Sequence, residues 1–232
     1  MITLRRSLER GEADHGWLQS RFTFSFADYF DPRHTGWRAL RVINDDKVAA
    51  GAGFPMHGHR DMEIVTWMLA GRLEHSDSMG NGSSIGPGEL QCMSAGKGVM
   101  HSEFNPSKVE EAHLLQIWIL PRARGLEPRY GQADYSQSLS SGEPVLVASP
   151  DGARGSIAIA ADARIHVARA HDARSWSLPL ELGRGAWVHV AKGDAEVAGH
   201  RLSAGDAAAI EDAPRVEIAA RPGCEVLVFD LA

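Results

Sequence analysis

A chain of 232 residues with 44% hydrophobic and 23% charged residues has the composition of an ordinary soluble globular protein, long enough for one large domain or two small ones. Its formal net charge of −6, with no run of Lys and Arg, argues against nucleic acid as a direct partner. The opening "MITLRRSLERGEADHGW" holds no apolar core of signal-peptide length, and no window is long enough to span a bilayer, so a cytoplasmic protein without a membrane partner is expected.

Twenty-four glycines and 11 prolines punctuate short apolar runs, the pattern of an all-β protein. In chain order the candidate strands begin with "WRALRVIND", "EIVTWML", "GRLEHSD", "GELQCMS" and "HLLQIWIL". After a loop-like stretch at 121–144 come "EPVLVAS", "SIAIAAD", "ARIHVARA", "GAWVHVA", "DAEVAG", "DAAAIED" and "CEVLVFDL". Several alternate apolar with polar residues, as a half-buried strand does. Cys92 and Cys224 lie far apart inside apolar runs and read as buried thiols, neither a disulfide framework nor a structural zinc site. The loop-like stretch divides the chain, giving expected domains of 1–130 and 131–232. "WMLAG" followed by "GELQCM" in the first half parallels "HVAKG" followed by "GDAAAI" in the second. This weak repeat suggests two copies of one antiparallel β-barrel, a closure that removes exposed strand edges.

One stretch stands out: "PMHGHRDME", residues 55–63. Side chains two apart on a strand share a face, so His57 and His59 project together. "GKGVMHSEFN" places His101 and Glu103 at the same spacing. If both strands line one interior, three imidazoles and a carboxylate meet, a set suited to a divalent first-row metal with positions left open for chemistry. Spacing alone leaves Glu63 as an alternative carboxylate, because it shares parity with the two histidines if the strand stays regular. An isolated HxH means little among 11 histidines; the second His-x-Glu gives it weight. His15, His34, His75, His113, His166, His171, His189 and His200 have no partner at ligand spacing and read as surface or hydrogen-bonded residues. Among them His113, at a strand start, is the one placed to back a ligand. Aligning the repeats puts Pro179 and Glu181 opposite His57 and His59, and Ile218 and Ala220 opposite His101 and Glu103. The second barrel is therefore expected to lack metal ligands.

"GFPMHGHRDMEIVTWMLAG" resembles the first motif of the cupin superfamily, with one extra residue before Gly71. "GELQCMSAGKGVMHSEFN" resembles the second, departing by Ser94 in place of proline and two extra residues before His101. Those departures, with "HSE" and the upstream "FTFSFADYFDP", are similar to the pirin family of double-domain cupins, over roughly Phe22 to Tyr130. The resemblance implies a bicupin of two jelly-roll domains. It implies Glu103 as the fourth ligand beside His57, His59 and His101, with Glu63 orienting a ligand imidazole through its free N–H. It implies one divalent metal, Fe(II) first, with Zn, Ni, Cu, Mn or Co able to occupy the site. The expected activity is that of bacterial pirin-like quercetin 2,3-dioxygenases: a flavonol-like aromatic and O2 as substrates, ring cleavage with release of CO, and Glu103 as general base. Phe54, Met56 and Met93 flank the motifs as candidate apolar walls, although each alone also reads as a plain core residue. The competing reading is a non-enzymatic iron-binding redox sensor or transcriptional co-regulator, which would carry the same ligands. A monomer is expected for a two-barrel chain.

Overall fold

The computed structural model describes residues 1–232. Regular structure is almost all strand, the sole α-helix being the single turn Ser136–Leu139, and no helix is long and apolar enough to cross a membrane. Cys92 and Cys224 are both buried free thiols.

The chain forms two compact units. One comprises Gly11–Asp134 with Ile157–Ala161; the other comprises Met1–Arg10, Tyr135–Ser156 and Asp162–Ala232. The first ten residues thus group with the C-terminal half, where the expected division at 130/131 assigned them to the first domain. The reason is a strand pairing that local sequence does not disclose: Ile2–Arg5 runs antiparallel to Ala207–Ile210.

The first unit is a sandwich of two antiparallel sheets. Its larger sheet runs Arg129–Asp134, Glu89–Ser94, Glu63–Ala70, Ala112–Ile119, Leu40–Val48, Leu18–Phe22, Gly11–Asp14. The smaller runs Gly53–His59, Val99–Phe104, Leu73–Asp77, Gly82–Ile85. The second unit repeats the order. Ile2–Arg5, Ala207–Ile210, Gly185–Lys192, Glu225–Leu231, Ala163–Arg169 and Val145–Ser149 lie in one sheet. Arg174–Pro179, Arg215–Ala220, Asp194–Val197 and His200–Ser203 form the other.

Burial inside the first unit is layered. At one level Met68 and Leu114 pack with Leu73 and Ile85 of the smaller sheet. At another, Ile64 and Met93 pack against Val99. Between these apolar layers the larger sheet turns a polar row inward. Asn44 pairs with Gln116, Gln116 with Thr66 and Thr66 with Gln91, so the four lie side by side on one face. All four are buried. A buried amide or hydroxyl without a partner is costly, so such a row persists where something opposite can hydrogen-bond to it. The smaller sheet supplies those partners for Gln116, Thr66 and Gln91.

Candidate metal centre

The smaller sheet brings the predicted residues together by register. His57 stands opposite His101, and His59 opposite Val99. The pairing then shifts so that Glu103 stands opposite Phe54. Two residues on one strand therefore match three on the other, a bulge whose extra residue lies beside Pro55. Proline has no N–H to lose from the ladder and is tolerated at such a point. The approach there is close: a Cβ added at Gly53 would lie 2.2 Å from the Glu103 carbonyl oxygen, so the site admits only glycine.

The three imidazoles converge. Ring centroids are 4.8 Å apart for His57 and His59, 4.4 Å for His57 and His101, and 4.8 Å for His59 and His101. His57 Nδ1 donates to the Pro55 carbonyl at 2.8 Å, which leaves its other ring nitrogen, Nε2, to face the site. That Nε2 lies 3.1 Å from His101 Nε2. Burial, reinforced by the neighbouring His57, pushes His59 down to about 4; burial and the surrounding histidines push His101 down to about 3. Both rings are neutral at neutral pH, the state a metal ligand requires. Nitrogens converging from three rings, two of them held uncharged by burial, fit a shared cation. The donor set therefore suits a divalent metal.

Glu103 is buried on the same strand as His101. Its carboxylate accepts from Gln116 Nε2 at 3.1 Å and from Thr66 Oγ1 at 3.4 Å, so two members of the polar row hold it. Burial pushes its carboxyl up to about 7, with the nearby Asp46 adding to the rise and the Gln116 and Thr66 hydrogen bonds opposing it. His57, His59 and His101 have their ligand atoms within 4.8 Å of one another; at that radius Glu103 groups with His101 and His75, not with His57 and His59.

The third member of that group, His75, differs from the sequence expectation of a histidine with no partner at ligand spacing. It is buried, with Nε2 donating to Asp77 Oδ2 at 3.1 Å and Nδ1 accepting from Gln91 Nε2 at 2.9 Å. Its Nδ1 lies 3.5 Å from His101 Nδ1, and its ring stacks on Tyr130 at 5.0 Å. Burial alone would raise the Asp77 carboxyl, but hydrogen bonds from Asn81, His75 and the backbone hold it below the usual range. The signal was present as "HSD" at 75–77, the same spacing as "HSE" at 101–103.

Other expected residues fall elsewhere. Glu63 touches no ligand imidazole: it accepts from Ser94 Oγ at 2.7 Å and from the Ala160 N–H at 2.9 Å. The strand carrying His57 and His59 stops at His59, and the chain turns through Asp61 at φ +51° before Glu63 opens a strand of the other sheet. Parity with the histidines is lost at that turn. Met56 is exposed on the outward side of its strand, and Met93 is buried against Ile64 and Val99. His113 pairs with Asp45 at 2.6 Å, away from the centre.

Of the three candidate walls, only Phe54 lines the cavity that opens onto the histidines. This cavity of about 310 Å³ is bounded by Leu18, Phe22, Phe26, Phe54, Ile64 and Trp118 on its apolar flank. His57, His59, His101, Glu103, Gln116, Asn44 and Asp46 form its polar side. Trp118 stands edge-on to His59 at 4.9 Å, and Phe26 edge-on to Trp118 at 5.4 Å, which makes a continuous aromatic wall leading to the three histidines.

The chain is similar to known proteins along its whole length. Residues 2–119 match the Pirin family model, and residues 146–231 match that of the quercetinase C-terminal cupin domain. The chain is 46% identical to a quercetin 2,3-dioxygenase of Escherichia coli strain K12, over 100% of this chain and 99% of that one. It is 39% identical to a pirin-like protein of Caulobacter vibrioides, over 96% of each. The crystal structure of the bacterial pirin YhhW of Escherichia coli in complex with nickel(II) superposes with a TM-score of 0.94 at 44% identity, over 100% of this chain and 99% of that one. With its two-cupin architecture and a match of this extent, the chain belongs to the pirin family.

Proposed function

We propose that the protein is a quercetin 2,3-dioxygenase-like oxidoreductase. It would cleave the heterocyclic ring of a flavonol with O2, releasing CO and leaving a depside. The observation that carries this reading is the aromatic-walled cavity ending on three converging imidazoles and a buried carboxyl. The similarity to the quercetin 2,3-dioxygenase of Escherichia coli supports the substrate class. Imidazole with carboxylate suits iron, and Fe(II) is the proposed metal, with nickel able to replace it as in the YhhW complex.

His57, His59, His101 and Glu103 are the residues proposed to hold the ion. When bound, it supplies a positive charge that lowers the pKa of the flavonol 3-hydroxyl. Glu103 takes the 3-hydroxyl proton on a carboxylate oxygen. Burial raises the affinity of that carboxyl for a proton, which favours its acting as the acceptor. Gln116 and Thr66 fix the orientation of that carboxylate. Phe22, Phe26 and Trp118 hold the flat substrate and exclude water from the electron-rich flavonolate.

The test is to mix iron-loaded protein with quercetin without oxygen and then admit air. Loss of flavonol absorbance with CO release is expected; no turnover in any metal form would overturn the proposal. Glu103→Gln should keep partial metal binding and lose most turnover, and a near wild-type rate would remove Glu103 from the role of base.

A further inference from the structure

Two polar residues of the cavity have no direct role in the chemistry described above, Asp46 entering it only through the charge that adds to the rise of Glu103. Asn44 and Asp46 project inward from the strand Leu40–Val48, two apart, between the buried Val42 and Val48 of the same face. Both are only 3% exposed, and both line the cavity. The Asn44 carbonyl oxygen Oδ1 is buried and has no hydrogen-bond partner in the protein. The neighbouring amide cannot serve it, because Gln116 Nε2 is committed to Glu103. A buried acceptor left open at the wall of an aromatic-lined cavity carries a desolvation cost that a donor on the ligand would remove. Asp46 sets a second oxygen acceptor on the same side, and a carboxylate offers no donor of its own when ionised.

Resting on the dioxygenase reading for the identity of the site, we propose that Asn44, assisted by Asp46, accepts a hydroxyl of the substrate other than the one that reacts. The cavity then selects flat phenols that carry at least two separate hydroxyl groups. Apolar walls discriminate weakly between aromatics that differ by an oxygen, whereas a buried acceptor penalises the analogue that leaves it unpaired. Selectivity within the flavonols thus lies in the strand Leu40–Val48, apart from the two strands that carry the histidines.

The experiment is an anaerobic titration of the nickel-loaded protein, followed by flavonol absorbance, with quercetin and with 3-hydroxyflavone, which has no other hydroxyl. Wild type should bind quercetin about tenfold tighter, the factor expected of one or two neutral hydrogen bonds. Asn44→Leu, which keeps the volume and removes the acceptor, should bring that ratio close to one, while Asn44→Asp should retain it. Asn44→Ala repeats the measurement should the leucine variant fail to fold. A structural effect would weaken both ligands alike and leave the ratio unchanged, which would overturn the inference, as would a wild type that shows no preference. Air is then admitted to the same samples. Preference without turnover retires the dioxygenase and keeps the hydroxyl reader, and turnover without preference does the reverse.

Discussion

The two units use one strand order for opposite ends. In the first, Asn44, Gln116, Thr66 and Gln91 cross the larger sheet side by side. In the second, the same row reads His166, Val228, Val188 and Ala208. The facing sheets differ in the same way. Where His101 stands opposite His57, Ile218 stands opposite Trp176; where Glu103 stands opposite His75, Ala220 stands opposite Ala195. Trp176, Ile218, Ala195, Ala220, Val188 and Val228 all belong to one continuous hydrocarbon core. An antiparallel sandwich fixes which positions face inward but is indifferent to what fills them. Hydrocarbon there yields stability without further conditions; imidazole, amide and carboxylate demand a complete set of partners.

The sharpest test of that contrast lies in the hydrocarbon half. Trp176 is buried, packed in the apolar cluster, and its Nε1 donates to the Gly142 carbonyl at 2.9 Å. Trp176→Ala should cost about 3–5 kcal/mol in urea unfolding. The folded variant should bind nickel as wild type does, because none of the metal-centre residues belongs to that cluster. A loss of metal affinity in the folded state would show that the division of labour between the halves is incomplete.

The next effect is smaller and depends on pH. Without metal, Glu103 is placed near 7 in the folded chain against an ordinary value of 4.5, because burial disfavours its charge. A raised folded value means that the folded state holds the proton more tightly. The carboxyl is therefore accommodated without penalty below about 4.5, and stability is lost as pH rises from there to about 7. The loss approaches about 3 kcal/mol and does not grow further above that range. His59 and His101 act oppositely, since depressed values make the folded state reluctant to protonate. The difference between metal-free wild type and Glu103→Gln, followed by denaturant unfolding from pH 4 to 8, isolates the Glu103 contribution. A difference that stays flat with pH would place the carboxyl in a wetter environment than the fold gives it.

Much of this was legible from strand parity alone. His57 with His59 and His101 with Glu103 share faces because their spacing is two, and Ile218 with Ala220 occupy the corresponding places in the second unit. Parity fails where the chain leaves the strand. Glu63 kept the right count but not the right sheet, because the turn at Asp61 intervenes. The expected alignment of Pro179 with His57 slips for a similar reason. From His57 to the next long strand at Glu63 is six residues, whereas from Trp176 to Gly185 is nine, so Trp176 takes the place of His57. Met56 and Met93 are near the histidines in sequence only: period-two alternation sends Met56 outward, and Met93 packs against Ile64 and Val99. Asn44, Thr66, Gln91 and Gln116 were visible as polar interruptions in "RVIND", "EIVTWML", "GELQCMS" and "HLLQIWIL". Their meaning required the register, which no single strand carries.

The smallest effect tests whether the polar row reaches the metal through its intermediaries. Gln91 donates to His75 Nδ1, and His75 Nδ1 faces His101 Nδ1 at 3.5 Å. This contact favours the tautomer in which His101 Nδ1 carries the proton and Nε2 is free toward His57. A partner that fixes the tautomer of a ligand imidazole typically changes metal affinity by about 10–100-fold. His75→Phe keeps a ring to stack on Tyr130 and removes both nitrogens, so nickel affinity measured by chelator competition should fall within that range. The same change would make this position as apolar as Ala195 in the second unit. Unchanged affinity would mean that the three converging imidazoles set the site alone, and that the buried His75–Asp77 pair belongs to the stability of the first unit, as hydrocarbon does in the other.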